Sequence, residues 1–569
     1  MSARSRTVLK GVVALTLLAM TLLGQRGGNP NEWATAYGDA QRSSWNRTTN
    51  ISTESLRRPG FALQWKAKLD TPAGQRVALT QGIVATGVNI FTPLSIVAGP
   101  ANLVSAFDND TGNVFWSRRI EVAVPPASSG CSGEITGAPT RLVTLTSSPA
   151  ASPRGGGRGA RYFSSAVGEP AQGIPLPQSS RTSAAAIRAP VAPASTPAPT
   201  PAAPAPPSPF PTNPAAVALA SRGGGTLFRP SPIAYLISGD GTLHKLGLVS
   251  GKDVQQPISF VPPGVQFSDL IAVGDMIYTA TSRGCGSAPS GIWAIDVSGG
   301  ANTIKSWNTN GGNPLGSIAF STSGTLIAAV GAGAVKSGGY ANAIVALDAK
   351  SLTIKDWFMQ PGVELTSAPL LFGDNGRELA AVTTKDGRVL LLDAASLGGD
   401  DHATALLTSV ALLGETRFAG HPAATSVNGT TRWMLLPITG SLRSLPGAQR
   451  NGLVTSGAVL ALKVKEEGGK FSAEPAWVSE NFAAPLTPIV VNDVVFVVSS
   501  APNASAKLYA LDGATGRTLW QSGNAMTAPV SGQSFWAGSG QVYVGTTDGT
   551  IYAFGFDMGR GPTNQRSGS

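Results

Sequence analysis

The 569-residue sequence predicts an all-β fold, an eight-bladed β-propeller with four-stranded blades, on three observations. A short motif recurs along the chain at intervals that suit one blade. Glycine is frequent, with 69 residues, and charged residues make up only 13%, which favours strands and turns over helices. The two ends of the repeat region each carry the part of a repeat that the other end lacks. A ring of blades closed by its own termini accounts for all three observations.

Residues 1–25 are predicted to be a signal peptide or an N-terminal anchor. Basic residues precede an apolar run at residues 11–24, which has the length of a signal sequence and is shorter than a comfortable membrane span. No clear Ala-x-Ala cleavage site follows, so both cleavage and retention stay open. In either case we expect an exported protein in the periplasm, with tethering to the inner membrane if the segment is kept. The basic residues are Arg4, Arg6 and Lys10.

The repeat motif is clearest at residues 106–116 and 510–520, which both read Ala-x-Asp-x-x-Thr-Gly-x-x-x-Trp. With looser and degenerate copies there are eight units, about 52 residues apart once one insert is set aside. The candidate structural residues are Ala106, Asp108, Thr111, Gly112, Trp116, Ala510, Asp512, Thr515, Gly516 and Trp520, with Ala294, Asp296, Trp307, Ala346, Asp348 and Trp357 in the looser copies.

We interpret this motif as structural. The Asp side chain accepts N–H groups of a tight turn, and the Gly supplies the positive φ that such a turn needs. The Trp packs its flat surface against the neighbouring blade. The calcium-like spacing of Asp108 and Asp110 is also better explained by turn capping than by metal binding.

The eighth blade is predicted to be shared between the termini. Residues 551–555 supply a strand with no Trp after it, and Trp65 follows no Ala-x-Asp motif. Pairing these two strands closes the ring and removes both open edges. The propeller is expected to span residues 31–557, followed by a disordered tail at residues 558–569.

A Pro-, Ala- and Arg-rich insert at residues 146–230 interrupts the propeller and is predicted to be disordered. It falls between the first and second strands of the second blade, because the repeat continues on both sides of it. The net charge of +10 lies almost entirely in this insert and the leader, so the folded part is close to neutral. Nucleic-acid binding needs a basic face on the folded part, and we therefore do not expect it.

The opening of the propeller resembles a known family. Residues 31–45 read Asn-Glu-Trp-Ala-Thr-Ala-Tyr-Gly-Asp-Ala-Gln-Arg-Ser-Ser-Trp, and with the repeats this is similar to the quinoprotein-like eight-bladed propellers. That family includes the alcohol dehydrogenases that depend on pyrroloquinoline quinone (PQQ) and the non-catalytic outer-membrane assembly factor BamB. The resemblance covers about residues 31–145 and 231–557, and it implies the fold more firmly than the activity.

Departures from the dehydrogenases favour the non-catalytic branch. Those enzymes commonly carry two adjacent cysteines beneath the quinone, whereas Cys131 and Cys285 lie far apart here. Their calcium and quinone ligands find no residue-by-residue match, and Glu134 is the one acidic residue in a plausible loop. We therefore expect a monomeric scaffold that binds a protein or glycan partner and needs no cofactor. The alternative is an alcohol or sugar dehydrogenase that depends on PQQ and calcium.

Three further residues are candidates on the loops or in the channel of the ring: Glu134, Arg283 and His421. Cys131 and Cys285 fall on loops that open on one face, so a disulfide is favoured in an oxidising compartment. Two free thiols, or one functional thiol made more acidic by Arg283, are the alternatives. His421 opens a blade and is either a ligand or a hydrogen-bonded structural residue.

Overall fold

The computed structural model confirms an all-β fold of eight sheets arranged as a propeller. In the described residues, helix is confined to short pieces: α1 (Thr53–Leu56) and two 3-10 turns, Pro100–Asn102 and Gly399–Asp401. The structure describes residues 32–47, 50–71, 75–86, 93–122, 133–143, 145, 233–282, 287–374, 376–414, 416–427 and 431–557.

The strands of the first half follow the chain from blade to blade. Two N-terminal strands, β1 (Trp45–Asn46) and β2 (Phe61–Lys68), join the last two blades. Blade 1 has β3 (Ile83–Ala85), β4 (Leu94–Ala98), β5 (Leu103–Asp108) and β6 (Val114–Arg119). Blade 2 has β8 (Ile233–Ile237), β9 (Thr242–Gly247) and β10 (Ile258–Ser259), and the strand that precedes them in the chain, β7 (Leu142–Val143), pairs in parallel with residues 272–273 of blade 3. Blade 3 has β11 (Gln266–Phe267), β12 (Ile271–Val273), β13 (Met276–Ser282), β14 (Gly291–Asp296) and β15 (Ile304–Asn308). Blade 4 has β16 (Ala319–Phe320), β17 (Thr325–Val330), β18 (Ala343–Asp348) and β19 (Ile354–Met359).

The second half repeats the pattern with a longer sixth blade. Blade 5 has β20 (Leu370–Asp374), β21 (Arg377–Thr383), β22 (Val389–Asp393) and β23 (Leu407–Thr408). Blade 6 has β24 (Arg417–Phe418), β25 (Ala423–Val427), β26 (Thr431–Thr439), β27 (Gln449–Arg450), β28 (Gly457–Glu467) and β29 (Lys470–Val478). Blade 7 has β30 (Ile489–Val491), β31 (Val494–Ser499), β32 (Lys507–Asp512) and β33 (Thr518–Gln521). Blade 8 has β34 (Phe535–Gly538), β35 (Gln541–Gly545) and β36 (Thr550–Phe556).

The N-terminal strand β2 completes blade 8. It pairs antiparallel with β36 along its whole length, and Trp65 lies opposite Ala553. The ring is thus closed by hydrogen bonds between segments almost 490 residues apart in the chain. This pairing confirms the predicted sharing of the eighth blade, and it leaves neither terminus as an open edge of the ring.

The propeller has two faces with different connections. Blade-to-blade connections and the loops between second and third strands open on one face, here called the loop face. The turns between first and second strands and between third and fourth strands open on the other, the turn face. Both follow from the antiparallel order of each blade.

In blade 2 the innermost pairing is a single antiparallel bridge between Thr140 and Tyr235. These two residues flank the insert in the chain, so the propeller includes residues on both sides of positions 146–230. The insert itself, the leader at residues 1–25 and the tail at residues 558–569 lie outside the described residues.

Candidate functional site

The central channel of the ring is filled by the chain's own residues 32–47, here called the channel hairpin. Trp33 pairs antiparallel with Val84 of β3, so the first arm runs toward the loop face. β1 pairs in parallel with β30, so the second arm returns toward the turn face. The hairpin is therefore inserted into the channel from the turn face.

The channel hairpin bonds directly to the inner part of seven blades. The link to blade 8 is indirect and runs through Gln81. The Gln81 side chain accepts the N–H of Tyr37 in the hairpin and donates to the carbonyl of Phe535 in blade 8. The direct partners, from blade 1 to blade 7, are Val84, Arg141, Leu270, Phe320, Leu371, His421 and Val490. One segment of the chain thus ties all eight blades together from the inside.

Arg42 lies fully buried at the turn of the hairpin. Its Nε donates to the carbonyl of Ile318 at 2.8 Å, and its Nη1 donates to Thr35 Oγ1 at 2.9 Å and to the carbonyl of Ala36 at 2.6 Å. Burial lowers the pKa of Arg42, and the negative charge of Asp269 opposes that change. An arginine nevertheless stays charged in a protein, so this buried cation relies on its hydrogen bonds and on nearby carboxylates.

The negative charges of Asp269 and Asp39 both favour the charged form of Arg42. Asp269 accepts the N–H of Ala138 at 2.8 Å and the hydroxyl of Ser317 at 2.5 Å, so it also links blades 2, 3 and 4. Burial raises the pKa of Asp39, although hydrogen bonds from Ser43 to its carboxylate lower it in part. These polar groups are all engaged in holding the hairpin in place.

His421 lies against the same hairpin and is only 5% exposed. Its Nε2 donates to the carbonyl of Arg42 at 2.8 Å, because a carbonyl can only accept. Its ring packs on Tyr37 with centroids 4.5 Å apart. Burial lowers the pKa of His421 to about 4, so the imidazole is neutral near pH 7. The structure thus places this channel candidate as a hydrogen-bond donor to the hairpin.

Three of the Trp side chains pack on a Gly of the next blade and donate their indole N–H to the same turn. The acceptors are the carbonyls of Asn109, Leu248 and Gly513, at 2.8, 2.7 and 3.0 Å. A Cβ atom on these glycines would lie 2.3–2.6 Å from ring atoms, so the contact needs glycine. The pairs are Trp65 with Gly112, Trp116 with Gly251, and Trp477 with Gly516.

Other junctions between blades use different neighbours. Trp357 stacks on His402 with ring centroids 3.7 Å apart, and Asp356 bonds to the same imidazole at 2.9 Å. Trp307 packs on Tyr340, and Trp520 packs on aromatic rings of blade 8. His402 follows Gly-Asp-Asp in the chain, a composition typical of an exposed loop, so its place beside a tryptophan is not predictable from the local sequence.

The motif aspartates cap their turns. Asp108 Oδ1 accepts the N–H groups of Asp110 and Thr111 at 2.9 and 3.1 Å. Asp348 and Asp512 each accept two N–H groups in the same way, and Asp296 accepts that of Ser298. These turn hydrogen bonds occupy one carboxylate oxygen of each of the four residues.

Glu134 lies on the loop face, where blade 1 leads into blade 2. Its carboxylate accepts the N–H of Ala101 at 3.1 Å, and Ala101 and Asn102 both have left-handed backbone with φ of 52° and 56°. The Asn102 amide bonds to the carbonyl of Gly133 and to the N–H of Gly239. Glu134 is therefore part of a network that fixes three loops. Cys131, Cys285 and Arg283 lie outside the described residues.

A Ser–His–Asp arrangement that the sequence did not reveal lies in blade 2. Ser238 Oγ is 3.0 Å from His244 Nε2, and His244 Nδ1 is 3.0 Å from Asp253 Oδ1. Arg118 of blade 1 pairs with Asp253 at 2.8 Å. Burial lowers the pKa of His244, and Asp253 opposes that change. Ser238 is fully buried and also bonds to Asp240, so this chain of hydrogen bonds joins a loop to a neighbouring blade and offers no accessible nucleophile.

Within the described ranges, no group of three or more His, Cys, Asp or Glu side chains is placed to hold a metal ion. Within the same ranges, no helix is long and apolar enough to cross a membrane.

Comparison with known proteins agrees with the fold. Residues 422–561 match a family model described as "Outer membrane protein assembly factor BamB". No curated protein sequence is significantly similar to the chain.

Solved structures of alcohol and methanol dehydrogenases share the architecture. The quinohemoprotein alcohol dehydrogenase of Comamonas testosteroni has a TM-score of 0.50 and 13% identity, covering 96% of this chain and 83% of its own. One from Pseudomonas putida HK5 has a TM-score of 0.51 and 11% identity, covering 95% and 82%. A europium-containing methanol dehydrogenase has a TM-score of 0.50 and 11% identity, covering 93% and 98%. At such low identity these likenesses show the fold alone. With the family match, they confirm the resemblance to the quinoprotein-like propellers.

Proposed function

We propose that this chain is an exported scaffold of the bacterial cell envelope, which binds a partner protein and catalyses no reaction itself. The mechanism is passive: a rigid ring presents the loops of its loop face to the partner. The match of residues 422–561 to the BamB family model supports a role of this kind.

The observation that carries the proposal is the use of the channel interior. In the described part of the chain, the two cationic or titratable side chains nearest the hairpin turn are used to hold the hairpin on the blades. Arg42 donates to the carbonyls of Ile318 and Leu270, and His421 donates to the backbone of Arg42. These groups serve the closure of the ring, and the loops that surround the channel are what a partner meets.

The proposed location rests on the residue pattern at positions 1–25. A basic start and an apolar run at residues 11–24 are typical of export signals. We therefore place the propeller in the periplasm, tethered to the inner membrane if residues 1–25 are retained. A monomer is the expected state, and a glycan partner is the alternative to a protein.

The competing function is a dehydrogenase that depends on PQQ and calcium, as the family resemblance implies, and solved alcohol and methanol dehydrogenases share the fold. A calcium ion takes six to eight oxygen ligands, usually including several carboxylates. Glu134, the acidic candidate on the loop face, is already bonded to the N–H of Ala101. The described residues do not fit the calcium site, because they bring no group of three or more His, Cys, Asp or Glu side chains together to hold a metal ion.

Calorimetric titration of the purified chain with PQQ and calcium, together with a dye-linked alcohol oxidation assay, tests the proposal. We expect no calcium-dependent binding of PQQ and no turnover. Turnover would overturn the proposal and make the loop face an active site. In parallel, a tagged chain expressed in its native host should retain a defined envelope protein in stoichiometric amount, and retention of a glycan alone would replace the protein partner.

A further inference from the structure

Blade 6 carries a long loop on the loop face, residues 440–456, between β26 and β28. The loop is folded around buried side chains of its own: Leu442, Leu445 and Val454. Its strand β27 pairs in parallel with β29, with Gln449 opposite Trp477. The loop therefore covers the outer edge of blade 6 and has a defined conformation.

This loop is bonded to the connection from blade 5, residues 409–418. The hydroxyl of Thr416 donates to the carbonyl of Ser441 at 2.7 Å. Leu442 pairs with Val454 across the loop, and Leu412 and Leu413 belong to the same hydrophobic cluster. The two segments form one surface, here called the blade 5–6 platform and defined by residues 409–414, 416–418 and 440–456.

The platform exposes large apolar side chains. Val410 is 74% exposed and Leu453 is 72% exposed, more than any other large apolar side chain in the described part of the chain. Single exposed apolar residues are common on proteins. Leu453, however, directly precedes the buried Val454 in an ordered loop, so its exposure does not reflect a poorly packed segment.

The platform loop is also basic. Residues 440–456 contain Arg443 and Arg450 and no acidic residue. Both arginines are exposed, and in the described part of the chain neither has a carboxylate within ion-pair distance. Arg450 donates to the carbonyls of Leu442 and Arg443, which holds its guanidinium on the surface. The nearby carboxylate of Glu480 is bonded to Thr518.

We infer that the blade 5–6 platform is the docking surface for the partner, and that it takes an acidic segment of a protein with aliphatic side chains. The inference rests on the proposed scaffold function and names its surface. The two unpaired arginines attract carboxylates of the partner, and Leu453 and Val410 pack against its apolar side chains. An anionic membrane is a poorer match, because the loop adds only two positive charges.

Defined peptides test this chemistry on the whole purified chain. The probe is a fluorescent peptide of four Glu-Glu-Leu repeats, and the comparison peptides are Lys-Lys-Leu and Glu-Glu-Ser repeats. We expect anisotropy to show binding of the first peptide, weakened by salt, and weaker binding of the other two. Equal binding of the Lys-Lys-Leu peptide, or preferred binding of phosphatidylglycerol vesicles or an anionic glycan, would overturn the inference.

Paired variants locate the site. Arg443→Glu with Leu453→Asp should weaken binding of the Glu-Glu-Leu peptide by about tenfold or more. The matched control is Lys336→Glu with Val335→Asp, on the loop of blade 4 between its second and third strands, where Val335 is 53% exposed. The control pair should leave binding unchanged, and unfolding midpoints should show that both variants are folded. Equal losses in both pairs would overturn the inference.

Photo-crosslinking in the native host tests the docking surface independently of the proposed scaffold function. A benzoylphenylalanine at position 453 should form an adduct with an acidic segment of one envelope protein, and one at position 335 should not. An adduct at 335 alone would overturn the platform and leave the scaffold function in place. PQQ-dependent turnover in the assay above would overturn the scaffold function itself.

Discussion

The eight blades are held together in two different ways, at the rim and in the channel. At the rim, each contact joins only two neighbouring blades, and in three junctions it consists of one Trp on one Gly, as in Trp65 with Gly112 and Trp477 with Gly516. In the channel, one hairpin bonds to the inner strands of seven blades and reaches the eighth through Gln81. A defect at the rim should therefore loosen one junction, whereas a defect in the channel should weaken the whole ring.

The largest effect is expected from Arg42→Leu. Removing the guanidinium leaves buried carbonyls without donors and leaves Asp269 without its nearby cation. Breaking one partner of a buried charge arrangement typically costs about 3–5 kcal/mol of unfolding free energy. The unfolding midpoint in urea, followed by tryptophan fluorescence, measures this loss.

Arg57→Leu is the control for the Arg42 variant. Arg57 is 67% exposed and pairs with Asp512 at 3.5 Å, so its loss should change the unfolding free energy by less than about 1 kcal/mol. If the two variants were equally stable, the channel hairpin would not be a major contributor to ring closure.

At the rim, Gly516→Ala tests how closely Trp477 must approach the turn. A Cβ at Gly516 would lie 2.3 Å from the Trp477 ring, and the residue has φ of +70°. Gly523 has a similar φ of +58° and open space around its Cβ position, so Gly523→Ala carries the backbone strain without the crowding. The difference between the two variants should be about 1–3 kcal/mol of unfolding free energy.

Thermal unfolding of both glycine variants gives that difference directly. A Gly516→Ala loss no larger than that of Gly523→Ala would mean that the Trp477 ring moves aside without cost. The rim contact would then contribute little to the junction of blades 6 and 7, and the comparison would favour the channel even more strongly.

The buried His421 beside the channel hairpin predicts that the free energy of unfolding depends on pH. Burial holds the folded pKa of His421 at about 4, below the ordinary value of 6.5, so the unfolded chain binds a proton first as the pH falls. Stability is therefore lost between about pH 6.5 and pH 4, and the loss from pH 7 to pH 4.5 should be about 2 kcal/mol. His421→Gln keeps a donor for the carbonyl of Arg42 and removes this titration.

Unfolding free energies of the parent chain and His421→Gln at pH 7 and pH 4.5 measure the effect. Other titrating groups are common to both chains, so only the difference between their slopes counts. Equal slopes would show that His421 is not held neutral by the hairpin.

The rim could be predicted from the sequence because it is repeated. The spacing in residues 106–116 recurs in residues 510–520, and the corresponding side chains have the same structural role in each copy. This periodicity predicts the number of blades and the closure of the ring by the segment around Trp65 on residues 551–555, and the observed strands 61–68 and 550–556 confirm that closure.

The channel could not be predicted in the same way. Arg42 and His421 occur once, and they are 379 residues apart in the chain. Nothing in the local sequence shows that Arg42 is buried, since an arginine between polar residues usually lies on the surface. The short stretch around Tyr37 indicated a family resemblance, and only the folded ring shows that the same stretch fills the channel. The stacking of His402 on Trp357, 45 residues earlier in the chain, is likewise a contact that no repeat motif marks. The hydrogen bonds of His244 are local, to residues six and nine positions away, but they too lie outside the repeat motif.

The smallest expected effect distinguishes the stability contributed by the indole N–H of Trp477 from that contributed by the apolar surface of its ring. Trp477 donates its N–H to the carbonyl of Gly513 at 3.0 Å, so Trp477→Phe should cost about 1 kcal/mol for the lost hydrogen bond, besides lost packing. Trp433 packs beside it with ring centroids 6.4 Å apart, and its buried N–H has no acceptor in the described part of the chain. Trp433→Phe removes a similar area together with an unsatisfied donor, so it should cost less.

The two phenylalanine variants, compared by thermal unfolding, therefore decide what a rim contact consists of. A larger loss for Trp477→Phe means that the turn carbonyl recognises the indole N–H, which explains why the motif carries Trp where Phe has nearly the same apolar surface. Equal losses would mean that packing on Gly516 is sufficient. In that case the rim contact is interchangeable among aromatic residues, and the junction at Trp357 and His402 is one more version of it.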